Sequence, residues 1–274
     1  MAVEFEIKPQ GKLNLGLKEL WEYRELFYFF TWRDIKVKYK QTFLGFLWAL
    51  VQPLFMALVF SFFMGNSIVE KTQLKVPYPV FALSGMLLWG IFSGGMSNAA
   101  NSMVTNANII KKIYFPRLII PISSILVALV DFLIAFVVFV LFLIIYKVEV
   151  NYIALLFLPL SILITCLSAM GFGTFLAALN IKYRDVRYVI PFLVQGLLFL
   201  TPVLFPVNIS DNKIAQFVLK INPVSGALEL LRAIFYNYTV NYETVLFSSI
   251  TSVIIFFIGI FYFRKTESYF ADIA

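Results

Sequence analysis

Histidine is absent from the sequence and cysteine occurs once, at Cys166. Without a second cysteine no disulfide can close within the chain. Without histidine or a cysteine pair, zinc, haem and histidine-based catalysis are excluded, although carboxylate chemistry is not. Charge is scarce as well: Asp, Glu, Lys and Arg make up 14% of residues, against 61% hydrophobic. Soluble domains carry about 25% charged residues, so this composition implies a polytopic helical membrane protein. In such a protein the net charge of +7 orients loops and meets anionic lipid headgroups; it does not imply nucleic acid as a partner. The segment 1–16 has neither the apolar core nor the small-residue cleavage site of a signal peptide.

Six apolar stretches are present, each near the roughly 20 residues that cross a bilayer. They are 43–64, 80–100, 118–146, 152–180, 189–206 and 245–263. The third and fourth exceed the minimum and are expected to tilt or project. Segment 209–238 is of mixed polarity, with a helical pattern around 227–236, and is too broken to count as a span. Before the first span, 16–32 reads as an amphipathic helix lying at the membrane surface. Lys18, Glu22 and Glu25 cluster on one face, and Leu20, Tyr23, Phe27 and Phe30 on the other. Trp21, Tyr23, Tyr28 and Trp32 suit headgroup depth. With the amino terminus inside, the inner segments carry 16 Lys and Arg and the outer ones 6, which puts both termini in the cytoplasm. The division expected is a cytoplasmic segment 1–42, a transmembrane domain 43–264 and a tail 265–274.

The junction at 33–53 combines Arg33, Lys36, Lys38 and Lys40 with Phe43-Leu44-Gly45 and then an unbroken apolar run. A cationic approach that meets a span across a glycine marks a water–lipid boundary with a bend. It is read as the place where cargo is met on the cytoplasmic side, with ordinary positive-inside anchoring as the alternative. Loop 106–121 mixes Ile109, Ile110, Tyr114 and Phe115 with Lys111, Lys112 and Arg117. A short helix ending near Pro116 would fit a groove on a cytoplasmic partner, or its apolar residues would dip into the bilayer edge. Loop 181–188, with Arg184, Asp185 and Arg187, is an orienting turn.

Taken in order, 33–53, KKIYFPR at 111–117, NIKYRDVRY with IPFLVQ at 180–195, TPVLFP at 201–206 and INPVSGALELLRAIFY at 221–236 resemble one family. That family is the membrane component of type-2 ABC exporters of polysaccharides such as O-antigen, capsule and teichoic acid. The resemblance implies an all-α integral membrane protein with six transmembrane helices, an N-terminal amphipathic interface helix, and re-entrant extracytoplasmic helices between spans five and six. It implies a homodimer paired with two copies of a cytoplasmic ABC ATPase, which would hold the ATP and Mg. This chain contains no GxxxxGK[ST] loop and is expected to bind no cofactor and to be no enzyme itself. By resemblance, Asn108, Ile109, Ile110, Lys111, Lys112, Tyr114, Phe115 and Pro116 form the coupling helix against the ATPase. Asn222, Pro223, Glu229 and Arg232 belong to the extracytoplasmic gate. Asn222-Pro223 would break one short helix before the next, and Glu229 and Arg232 at i,i+3 would pair within it or form an ordinary surface pair.

The implied cargo is a lipid-linked polysaccharide, most specifically lipopolysaccharide O-antigen, crossing the bacterial inner membrane. Its entry site would comprise Arg33, Lys36, Tyr39, Lys40, Phe43, Leu44 and Gly45. Cations would attract a pyrophosphate, Tyr39 and Phe43 would flank the first sugars, and Leu44-Gly45 would allow the turn into the span. Polar groups inside spans are penalised by hydrocarbon, which singles out Gln52, Ser93, Asn98, Asn101, Gln195 and Thr201 as pathway candidates. Asp131 lies deep in a span and is read as a structural hydrogen-bonding group, protonated or paired. Gly94-Gly95 and Gly171-x-Gly173 permit close helix contact. Other readings are a teichoic acid exporter, an exporter of drugs or small lipids, a membrane transferase and a secondary transporter. Single scattered loop acids (Glu70, Glu149, Asp185, Asp211) weigh against the transferase, and the lack of a convincing repeat weighs against the secondary transporter.

Overall fold

The computed structural model describes residues 17–40, 42–183, 185–209, 211–236 and 238–267. Lys8, Lys12, Arg184 and all of the expected tail beyond residue 267 lie outside the described residues. The chain is helical. Helices α1 (Leu17–Glu22) and α2 (Arg24–Tyr39) precede α3 (Trp48–Thr72), α4 (Tyr78–Thr105), the single turn α5 (Ala107–Ile110) and α6 (Ile119–Ile145). There follow α7 (Leu158–Lys182), α8 (Val186–Leu200), α9 (Lys213–Ile221), α10 (Ser225–Arg232) and α11 (Tyr242–Thr266).

Five helical segments among the described residues are long and apolar enough to cross a membrane: Gly45–Thr72, Tyr78–Thr105, Ile119–Ile145, Ile153–Lys182 and Tyr242–Thr266. They correspond to the first four and the last of the expected spans. The expected fifth, 189–206, is corrected. Its helix, α8, has 15 residues and stops at Leu200. Thr201 is extended (φ −109, ψ 136) because Pro202 follows it, and Pro206 prevents an early restart. The next apolar material is α9 and α10, which meet at 84°. Counted as one bent element they bring the candidate spans to six. The bend falls at Asn222-Pro223, as the residue types predict.

The helix α4 forms the centre, with α6 and α7 packed along it and α3 against α4 and α6. The last helix, α11, lies on α7, and α10 wedges between α11, α7 and α4. The close approach of α7 and α11 depends on glycine. A Cβ on Gly259 would stand 2.1 Å from the Gly171 carbonyl oxygen, and one on Gly171 would stand 2.6 Å from the Ile255 backbone. A second apolar cluster gathers Phe30, Met103, Phe115, Ile119, Ala178 and Phe263 where α2 meets the C-terminal ends of α4, α7 and α11 and the start of α6.

The amphipathic segment differs from expectation in length and in partner. It breaks at Tyr23 (φ −94, ψ 20) and then runs on to Tyr39, so the cationic approach is itself helical. Its predicted apolar face, Leu20, Tyr23, Phe27 and Phe30, packs on the protein's own second cluster, with the Phe30 and Phe115 rings 5.5 Å apart. The aromatics Trp21, Tyr28, Phe29 and Trp32 remain exposed.

Replacing Gly259 with Ala should destabilise the protein by about 1–3 kcal/mol through overpacking. Thermal unfolding of the detergent-purified protein reads this directly. An unchanged transition would show that α7 and α11 do not touch as described.

Candidate functional site

Between α3, α4, α6 and α8 lies a cavity of about 780 Å³. One end carries Lys38 and Asp131. The walls include Trp48, Phe55, Trp89 and Phe132, and Gln52, Ser93 and Gln195 interrupt them. Three of the six polar pathway candidates therefore meet in one space. The others do not line it. Asn101 accepts from Asn180 Nδ2 at 3.1 Å, and the Thr201 hydroxyl is buried, donating to the Leu197 carbonyl at 2.6 Å. Asn98 is exposed.

Asp131 is paired. Its carboxylate accepts from Lys38 Nζ and from the Tyr39 hydroxyl, which fixes the end of α2 to the middle of α6. Burial, reinforced by the hydrogen bond to Asp131 and its charge, pushes the Tyr39 hydroxyl above its ordinary value of 10.0, so it remains a donor at physiological pH. A raised folded value gives stability that is fully present below about pH 10 and is lost as pH rises through it. Lys38 and Asp131 are 93 residues apart, and nothing in their local sequence signals the pairing.

The remaining entry residues fan away from this pair. The Arg33 guanidinium holds Asp34 (2.9 and 2.6 Å) and stacks on Phe30, and Lys36 lies over Trp32 at 5.1 Å. Lys40 and Phe43 are exposed, and Leu44 is half-buried. Gly45 has φ +52, a left-handed conformation that disfavours any side chain, and begins the 3₁₀ turn Gly45–Leu47 that leads into α3. The bend expected at this glycine is present.

In the loop between α4 and α6, Asn108, Lys111, Lys112 and Tyr114 are exposed, whereas Ile109 and Ile110 lean on the second cluster. Phe115 and Pro116 are buried. The outward apolar surface is thus Ile113 with Tyr114, in place of Phe115. The buried position follows from the contact of Phe115 with Phe30, and Ile113 was overlooked in the sequence because a single apolar residue between Lys112 and Tyr114 carries no periodicity.

Two of the four expected gate residues, Arg232 and Asn222, hold the broken end of α8. Arg232, fully buried, donates from Nη1 to the Pro202 carbonyl (2.9 Å) and from Nη2 to the Val203 carbonyl (2.6 Å). Its guanidinium lies 3.7 Å from the Phe81 ring centroid. Asn222 Nδ2 donates to Thr201 Oγ1 (2.9 Å) and to the Leu200 carbonyl (3.1 Å). The Pro223 carbonyl accepts from Ser252 and Ser168. Glu229, 3% exposed, accepts from the Tyr238 hydroxyl (2.9 Å) and the Asn241 N–H (3.0 Å). Glu229 and Arg232 interact through their charges, as their spacing suggests, but both are buried, not a surface pair, and the hydrogen bonds described for each go to other partners.

A bundle of this kind, with five candidate spans, a bent helix pair and a cavity among its helices, is that of a multi-pass membrane protein. Residues 25–236 match the family of ABC-2 type transporters, and the chain belongs to that family. It is 29% identical over 243 residues to an "O-antigen export system permease protein RfbA" from Klebsiella pneumoniae, covering 89% of this chain and 92% of the relative. A Myxococcus xanthus protein of the same name is 26% identical over 258 residues, 93% of this chain and 98% of the relative. The "Polysialic acid transport protein KpsM" of Escherichia coli is 25% identical over 242 residues, 86% and 91% respectively.

Asp131→Ala should loosen the end of α2 by about 1 kcal/mol, the scale of a partly exposed ion pair, and raise protease cleavage near residues 40–47. The exchange of Lys38→Asp with Asp131→Lys should restore protection. Arg232→Met should cost about 2–3 kcal/mol by leaving two carbonyls unpaired, and Arg232→Lys should recover only part, since an ammonium lacks the fork. Unfolding temperatures of the purified variants check both, and full recovery by Lys would exclude the forked role.

Proposed function

We propose that this chain is the transmembrane subunit of an ATP-driven exporter that moves a lipid-linked polysaccharide, of O-antigen type, across the bacterial inner membrane. The carrying observation is the match to an O-antigen export permease across 89% of the chain. The cavity chemistry agrees with it. Indole and phenyl faces suit the C–H faces of sugar rings, and amides at Gln52 and Gln195 exchange hydrogen bonds without holding the cargo tightly.

Two copies of the chain form the pathway. In α3 only Ala57, Gly65 and Ile68 are buried, and in α8 only Ile190, so both helices keep long faces for a second subunit. Each copy receives one cytoplasmic ATPase, which carries the ATP and Mg. Asn108, Lys111, Lys112, Ile113 and Tyr114 present the coupling surface to it. Both termini are cytoplasmic, 1–42 is the inner segment, and 43–264 is the transmembrane domain. Lipid-linked cargo arrives beside Arg33, Lys36, Lys40 and Phe43, and passes Gly45 into the cavity guarded by Lys38 and Asp131.

A second reading, an acidic capsular polymer, is favoured by the similarity to the polysialic acid transport protein. Chemical analysis of the retained polymer separates the two.

Deleting the gene should strand complete polymer in the cytoplasm, and affinity purification of the chain should bring down an ABC ATPase. Unchanged surface polymer would overturn the proposal. Gln195→Leu, with assembly and ATP hydrolysis intact, should lower export roughly tenfold, the scale of one or two lost hydrogen bonds. Normal export by this variant would remove Gln195 from the path.

A further inference from the structure

A second cavity, of about 490 Å³, opens between the C-terminal end of α3, the α3–α4 connection, α10 and the segment leading to α11. Its walls differ in kind from those of the first. Lys71, Lys75, Glu229, Tyr236, Tyr238 and Asn241 all line it, whereas the first cavity is mainly aromatic and aliphatic. With the amino terminus inside, this is the extracytoplasmic end of the bundle.

Glu229 lies at the base. Two of the roughly four lone-pair sites of its carboxylate are committed to the Tyr238 hydroxyl and the Asn241 N–H. Because Glu229 lines the cavity, its carboxylate has the capacity to accept further hydrogen bonds there. Tyr236 offers a ring that is 54% exposed. Its backbone is held because its N–H donates to the Glu149 carbonyl at 3.0 Å and the neighbouring Phe235 bridges to Val150. Gln73, in the left-handed region (φ 51), ends α3 between Lys71 and Lys75, and both lysines are exposed at the rim. A fixed acceptor, a fixed aromatic face and two rim cations make a preorganised site, of a size that holds one or two sugar rings.

We infer that this outer cavity is a saccharide-binding subsite for a sugar unit that bears a carboxylate or phosphate. Glu229 accepts from ring hydroxyls, Tyr236 covers the C–H face, and Lys71 and Lys75 meet the acid group. The inference rests on the proposed function for the source of the ligand, an emerging polymer, but the binding chemistry is testable without transport. Held there, the leading units would be drawn away from the membrane cavity and less free to slip back.

The test uses the intact permease–ATPase complex in phosphatidylcholine nanodiscs, titrated with glucuronic acid and with glucose and followed by saturation-transfer NMR. Glucuronic acid should bind, with glucose weaker by about tenfold, the scale of 1.4 kcal/mol. Tyr236→Ala and Lys75→Gln should each weaken glucuronic acid by about tenfold or more, leaving the unfolding temperature unchanged. No binding at millimolar sugar, or wild-type binding by both variants, overturns the subsite. Gene deletion separates this result from the transport reading. Stranded polymer with a flat titration sinks only the subsite, and intact surface polymer with normal sugar binding sinks only the transport reading.

Discussion

The carbonyls of Pro202 and Val203 have no helix to receive them, and this is the constraint around which one half of the molecule is arranged. Backbone polar groups in an apolar surrounding must be satisfied within the protein. Here the donor is the fork of Arg232, the largest fully buried side chain among the described residues. Its reach to both carbonyls ties the end of α8 to α10. Gly85 makes the approach possible, since a Cβ there would lie 2.0 Å from the Val203 oxygen. Asn222 completes the arrangement by holding the Leu200 carbonyl and the Thr201 hydroxyl. A short α8 and a bent α9–α10 pair are therefore tied together by these hydrogen bonds.

The half that carries α2 has its own tie, of a different strength. Lys38 and Asp131 remain partly exposed, with side-chain exposures of 41% and 23%, so their pair is weak and reversible on the scale of surface ion pairs. That contrast is useful in a transporter. The outer break is clamped by fully buried groups that cannot be rehydrated cheaply, while α2 is fastened to α6 by groups that already meet water.

Much of this was legible from residues alone, and the failures share a cause. Long apolar runs located α3, α4, α6, α7 and α11 because their length is set by bilayer thickness. The glycine at 45 and the Asn222-Pro223 break were legible because backbone restrictions are local. The end of α8 was missed because hydropathy continues through Val203, Leu204 and Phe205 while the backbone does not. Glu229 and Arg232 were expected to face each other because i,i+3 spacing is the only partner a sequence displays. Their hydrogen-bond partners, Tyr238, Asn241, Pro202 and Val203, come from segments whose approach is set by tertiary packing.

The same limit explains the two cavities. Gln52, Ser93 and Gln195 come from three helices, and each is costly in hydrocarbon when considered alone. Together they make a surface where that cost falls, since water or a hydroxylated cargo can satisfy all three. In the second cavity Glu229, on α10, shares the walls with the end of α3 and the segment before α11. Burying an isolated carboxylate is penalised by several kcal/mol unless it is hydrogen-bonded. The Tyr238 and Asn241 donors reduce that penalty, and a hydroxyl-rich ligand would reduce it further. The two spaces therefore differ in chemistry: the first is mainly aromatic and aliphatic with three polar interruptions, and the second joins a buried carboxylate to tyrosines and rim lysines.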